Sequence, residues 1–129
     1  MTILGTGIDI VENHRIKMSL FKNKSNFKNR IFTKNEISYC KNKSNVVSCY
    51  SKRFAAKEAF VKALGTGFRK NINFKDIEVI NNHYGKPNLL INKKINNKIR
   101  AYFKVRKFNI FLSISDEMNY SIASVIISK

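Results

Sequence analysis

Apolar positions recur along the chain with two different periods, and the changes of period mark the elements. Residues 2–11 are largely apolar and β-branched, interrupted by Gly5 and Gly7, which predicts a buried strand with a turn near Glu12 and Asp9 near its C-terminal end. From Asn13 to about Lys22, Ile16, Leu20 and Phe21 recur at helical spacing among Arg15, Lys17 and Lys22, a short basic amphipathic helix. Residues 23–30 are polar and read as loop. Thr33 to Glu36, "TKNE", fits a capping box, so a helix starts there and runs to about Lys41. The clearest element spans Val46–Leu64: Val47, Tyr50, Phe54, Val61 and Leu64 follow a three-to-four spacing, and five further apolar residues make most of the remaining surface apolar too. That helix is central and packed, and Gly65 serves as its left-handed cap.

The second half alternates. "DIEVINNHYGKPNLLI" reads as two strands around a turn carrying Gly85, Lys86 and Pro87. A basic helix covers about Ile95–Lys107 with Ile99, Tyr102 and Phe103 inward. "NIFLSIS" and "NYSIASVIIS" form two alternating strands joined at Asp116 to Met118. The order β-α-α-α-β-β-α-β-β predicts an α+β, or mixed α/β, class with antiparallel strands on a long central helix. We read residues 1–129 as one domain, without repeats or linkers.

Composition changes this picture in one respect. The formal net charge is +17, with 25 Lys and Arg against 8 Asp and Glu. Such a field favours an anionic partner: nucleic acid, a phosphorylated ligand, an acidic protein or an anionic membrane surface. The excess of lysine over arginine, with abundant asparagine and isoleucine, also fits a compositional bias toward A+T-rich codons, so charge alone selects no function. The N-terminus shows neither a signal peptide nor a membrane span, which predicts a cytoplasmic protein. Cys40 and Cys49 form no CxxC pair and read as reduced, structural thiols.

Acids are scarce, so their placement matters. Glu58 and Lys62 lie about 40° apart on the central helix and share a face with Ser51 and Gly65. On a solvated face they would be an ordinary ion pair contributing about 0.3–0.5 kcal/mol. On an apolar helix they suggest a cleft, and Asp9 at a strand end is the natural companion. Two carboxylates, waters and substrate phosphates are how Mg²⁺ is usually held, whereas Zn²⁺ would want His or Cys ligands. "GTG" at Gly5–Gly7 and Gly65–Gly67 belongs to neither a Walker loop nor a dinucleotide fingerprint. Gly67, Arg69 and Lys70 still offer backbone and charge to a phosphate.

Six stretches in order, "GIDIVENHRI", "FTKNE", "RFAAKEAFVKALGTG", "DIEV", "GKP" and "LSISDEMNYSIASVII", resemble the signatures of the holo-[acyl carrier protein] synthase family and span nearly the whole chain. The resemblance implies a 4′-phosphopantetheinyl transferase-like fold and transfer of 4′-phosphopantetheine from coenzyme A to a serine of apo acyl carrier protein, releasing adenosine 3′,5′-bisphosphate, in lipid and fatty-acid metabolism. It also implies a homotrimer with sites at its subunit interfaces. By the same resemblance Asp9 and Glu58 bind Mg²⁺, and Lys62 steadies phosphate charge. Arg53, Gly65, Gly67, Lys86, Pro87 and Asp116 fall at coenzyme A-binding positions. Arg15, Met18, Phe21 and Lys22 face the acidic carrier. A metal-bound water or either carboxylate is available to take the serine proton.

One position departs from the pattern: the family commonly has His where this chain has Asp116, and a carboxylate cannot donate to a phosphate. Three readings follow: the contact is lost, Lys52 or Arg53 replaces it, or Asp116 turns away in its hairpin. The rival functions are a basic nucleic-acid-binding module, which would leave Asp9 and Glu58 unused, and an inactive homologue.

Overall fold

A computed structural model describes residues 1–65 and 71–129, without the side chains of 23–25. The elements are β1 (Ile3–Glu12), α1 (Asn13–Ile31), α2 (Lys34–Lys41), α3 (Val46–Leu64), β2 (Ile77–Asn81), β3 (Pro87–Ile91), α4 (Lys93–Phe103), β4 (Asn109–Asp116) and β5 (Tyr120–Ser128), with a 3₁₀ turn at Phe74–Asp76 before β2. Two antiparallel sheets form, one ordered β1-β5-β4 and one pairing β2 with β3. Helix α3 lies across the larger sheet, covering its inner face. The antiparallel strands on a long central helix that the pattern predicts are therefore present.

Local chemistry sets the helix limits. Thr33 and Glu36 form the expected capping box at α2, and Asn45 caps α3 by accepting from the Ser48 amide at 3.0 Å. Gly65 ends α3 at φ 79°. Inside, Lys57 is fully buried and its ammonium donates to Glu36 Oε1 at 2.6 Å, the Ile31 carbonyl at 2.8 Å and the Phe74 carbonyl at 3.1 Å. Glu36 Oε2 in turn accepts from the Val79 amide at 2.8 Å. This one network joins α1, α2, α3 and β2.

Several sequence expectations need correction. Helix α1 does not stop near Lys22 but continues to Ile31, because buried Phe27 and Ile31 extend the inward stripe of Ile16 and Leu20 across the polar 23–26 stretch. Helix α4 ends at Phe103 rather than Lys107, with Lys104 in the left-handed conformation as its cap, and Tyr102 is exposed rather than inward. Strand β1 is buried on one face only: Ile8 and Ile10, 59% and 62% exposed, point outward. Cys40 and Cys49 are not free thiols but a disulfide. The end of α2 and the first turn of α3 bring their Cα atoms to 5.6 Å, a closeness that a nine-residue separation does not reveal.

Candidate active site

Where β1 crosses α3, the backbones touch. A Cβ on Gly7 would sit 1.9 Å from the Ala59 carbonyl oxygen, and one on Gly5 2.0 Å from that of Ala63. The absent side chains therefore set the strand directly on the helix. Asp9 follows on the same strand face, and Lys62 Nζ donates to its Oδ1 at 3.1 Å and to the Ile8 carbonyl at 3.0 Å. Glu58, one turn before Lys62, is partly buried. Burial pushes its carboxyl pKa up, the charge of Asp9 adds to the rise and Lys62 opposes it. The three sequence-predicted residues are thus brought together.

Among the described residues, Lys62 is ion-paired with Asp9 while Glu58 lies beside the pair, so two carboxylates stand near one ammonium. The Lys62 side chain is 53% exposed, so its bond to Asp9 is a solvated contact that a stronger cation can displace. No cluster of three or more His, Cys, Asp or Glu suited to a metal occurs among the described residues. The pair fits an oxygen-preferring divalent ion that completes its shell from water and ligand oxygens, and does not fit zinc.

A cleft of about 510 Å³ opens elsewhere, between the first half of α3, the α2–α3 connection, the β2–β3 turn and the end of β4. Arg53 forms part of its wall and is 3% exposed. Its Nη2 donates to Asn81 Oδ1 at 2.5 Å and its Nη1 to Cys49 Sγ at 3.4 Å, while the guanidinium lies 4.3 Å from the centre of the Tyr39 ring. Its Nε is buried with no hydrogen-bond partner among the described residues. Burial lowers the Arg53 pKa, against the raising effects of Glu36, Tyr39 and Tyr50. Lys43 and Lys52 line the same cleft, so among the described residues three cations face one acid, Asp116. Such a cavity suits a phosphate.

Asp116 does not turn away. It ends β4, lines the cleft and accepts the Ser48 hydroxyl. Gly85 and Pro87 line the cleft as well, but Lys86 is not part of its wall, and the Lys86 amide donates to Asn82 Oδ1 at 2.9 Å within the turn. Gly65 caps α3 one turn beyond Val61, outside the cleft. Gly67, Arg69 and Lys70 lie outside the described residues. None of Asp9, Glu58 and Lys62 lines the cleft. Of the positions expected to bind coenzyme A, Arg53, Pro87 and Asp116 therefore meet at this cleft, while Asp9, Glu58 and Lys62 meet elsewhere along α3.

Arg15 and Met18 line an apolar groove of about 280 Å³ between α1 and α3, closed by Phe27 and by Phe54, which is one turn before Glu58. Phe21 is 64% exposed and Lys22 is exposed on the same helix. Sequence reasoning passed over Ser48, Tyr39 and Asn81, whose roles depend on contacts between elements. It also missed Asn13, which is buried, donates to the Glu117 and Met118 carbonyls at 3.2 Å each and accepts from Ser121 Oγ at 2.7 Å. Asn13 thereby ties the start of α1 to the β4–β5 turn.

A helix-backed antiparallel sheet of this kind is also found in solved proteins. Residues 5–123 match the family model described as the 4′-phosphopantetheinyl transferase superfamily, and the chain belongs to that superfamily. Its similarities within it are to holo-[acyl-carrier-protein] synthases. That of Pelagibacter ubique (strain HTCC1062) is 57% identical over 129 residues, covering 100% of this chain and 99% of that protein. The crystal structure of the Bacillus anthracis synthase in complex with CoA (3′,5′-ADP) is similar with a TM-score of 0.80 and 36% identity, covering 99% of this chain and 98% of that one. The Neisseria meningitidis synthase gives a TM-score of 0.86 and 35% identity, covering 98% and 99% respectively.

Proposed function

We infer that the protein transfers the 4′-phosphopantetheine group of coenzyme A to a serine of apo acyl carrier protein, giving holo carrier and adenosine 3′,5′-bisphosphate. The observation that carries the reading is the pairing of Asp9 and Glu58 beside Lys62, together with a cationic cleft at the other end of the same helix. The chain acts as one transferase domain in the cytoplasm. No helix among the described residues is long and apolar enough to cross a membrane.

Asp9 and Glu58 would hold Mg²⁺, which when bound supplies positive charge against the coenzyme A pyrophosphate. Lys62 adds a mobile ammonium at the same place and stabilises charge on the departing phosphate. The carrier serine attacks the phosphorus bearing the pantetheine arm, its oxygen forming the new ester while the bond to the adenosine-side phosphate breaks. The serine proton must leave in that step. Its acceptor is one of the two carboxylates or a water held beside them. At the other half-site Arg53, Lys43 and Lys52 grip the nucleotide phosphates.

Since the half-sites do not meet within one chain, we assign the complete site to an interface between copies, in a homotrimer. Ile8, Ile10 and Phe111 expose an apolar patch on the outer sheet face, suited to such contact. The carrier docks on α1, where Arg15 and Lys22 meet its acids and Met18 and Phe21 give apolar anchors beside the Phe54 groove. The test is the intact mass of apo carrier protein after incubation with the enzyme, coenzyme A and Mg²⁺, with and without chelator. A chelator-sensitive gain of one phosphopantetheine supports the reading. No gain from folded enzyme, on a carrier that a second transferase can modify, overturns it.

A further inference from the structure

The nucleotide half-site is built around a disulfide. Cys40 lies in the last turn of α2 and Cys49 in the first turn of α3, so the bond closes the connection at residues 42–45. Lys43, Ser44 and Asn45 of that connection all line the cleft, and so do Cys49 and Tyr39, the neighbour of Cys40. Cys49 Sγ accepts from Arg53 Nη1, and Arg53 stacks on Tyr39. One covalent bond therefore holds a loop cation in place and contacts the buried cation that together would grip a phosphate.

We propose that Cys40 and Cys49 form a thiol–disulfide switch that sets the affinity of this cleft for its phosphorylated ligand, with the disulfide as the tight-binding state. This rests on the reading of the cleft as the nucleotide half-site. In the bonded state the loop is pre-ordered and Lys43 is held at the cleft, over the Tyr39 ring at 4.2 Å. Reduction frees the loop, so ligand binding must order it. Reduction also turns Cys49 into a thiol or thiolate beside Arg53, which competes with the ligand for that guanidinium. Both effects weaken binding.

The chemistry balances with a small monothiol such as glutathione. Its thiolate attacks Cys49 Sγ, the sulfur at the cleft wall; a mixed disulfide forms, the Cys40–Cys49 bond breaks and Cys40 leaves as a thiolate. A second monothiol attacks the sulfur of the bound small molecule, releasing Cys49 and one small disulfide. Two thiols are oxidised as the protein disulfide is reduced. The reverse, with glutathione disulfide as oxidant, closes the switch.

The experiment is calorimetric titration of adenosine 3′,5′-bisphosphate into the full chain after equilibration with glutathione disulfide or with a phosphine reductant. The ligand has no thiol, so it leaves the redox state unchanged, and intact mass reports the two hydrogens gained on reduction. We expect binding about tenfold tighter in the oxidised form, of the order of the cost of ordering one long side chain. The difference should vanish in Cys40→Ala. Equal affinity in the two states, or failure of glutathione disulfide to form the bond, overturns the switch. If equal affinities still fall in Lys43→Met/Lys52→Met, the cleft reading survives; if that variant binds as well as the parent, the cleft reading fails too.

Discussion

Burial and the Asp9 carboxylate both disfavour the charged form of Glu58, so the folded protein carries an acid that the unfolded chain ionises more readily. Its folded pKa lies above the unfolded value of about 4.3. Between the two, the native state binds more protons than the unfolded one, so this group makes stability fall as pH rises through that window and remain lower above it. Glu58→Gln should therefore raise the thermal midpoint at about pH 7, flatten its dependence across that window and abolish transfer. Melting curves at several pH values beside the carrier mass assay check both halves. In the cationic cleft, Asp116 is the one acid among the described lining residues. Asp116→His replaces a repelling carboxylate with a donor, and we expect severalfold tighter coenzyme A binding by calorimetry; weaker binding would mean that the Ser48–Asp116 bond shapes the cleft more than charge does. These residues differ in how legible they were. Glu58, Lys62 and Gly65 follow from a single helix turn, and Asp9 from a strand end. Arg53 as a buried, partly unsatisfied cation depends on Tyr39, Cys49 and Asn81, which come from three elements, and no local pattern encodes that meeting.

At the scale of elements, α3 is the longest apolar run and its bounds follow from Asn45 and Gly65. Helix α1 was legible only to Lys22, since four polar residues interrupt its stripe before Phe27 resumes it. Lys57 was hidden for another reason: by type it is a solvent residue, yet here it is fully buried against Glu36. Burial lowers its pKa, and the Glu36 charge and hydrogen bond raise it. Removing one partner of such a pair leaves the other charge buried and alone. Lys57→Met is expected to cost about 3–5 kcal/mol in denaturant unfolding. Glu36→Gln/Lys57→Met should recover part of that loss, because the unpaired charge is gone; a double variant no more stable than Lys57→Met alone would show that the Phe74 and Ile31 carbonyls matter more than the ion pair.

For the whole molecule, the decisive point is that the Asp9–Glu58 pair and the cationic cleft lie apart along α3. If a complete site needs two copies, chains disabled in different halves should rescue one another. Glu58→Gln and Lys43→Met/Lys52→Met should each be nearly inactive alone. Mixed after dissociation and reassembly, they should regain a fraction of transfer activity, since some interfaces then pair two intact halves. No recovery from mixtures that co-purify as one assembly would place both half-sites to work within a single chain. Strand alternation alone could not announce this arrangement. The outward isoleucines of β1 look, in sequence, like the second face of a buried strand.

The inward Lys57 has one more consequence. It is the neighbour of Glu58 in sequence, about 100° round the helix from it, and its ammonium is held by three oxygens on the far side. Against the opposite side of the helix press Gly5 and Gly7, with no atoms to spare. Helix α3 is thus keyed like a shaft: it cannot roll without dragging a charge from its socket, and it cannot lift without opening the sheet. The aim of Glu58 is fixed by parts that lie outside the proposed site, so heat should silence the enzyme and melt it in a single event.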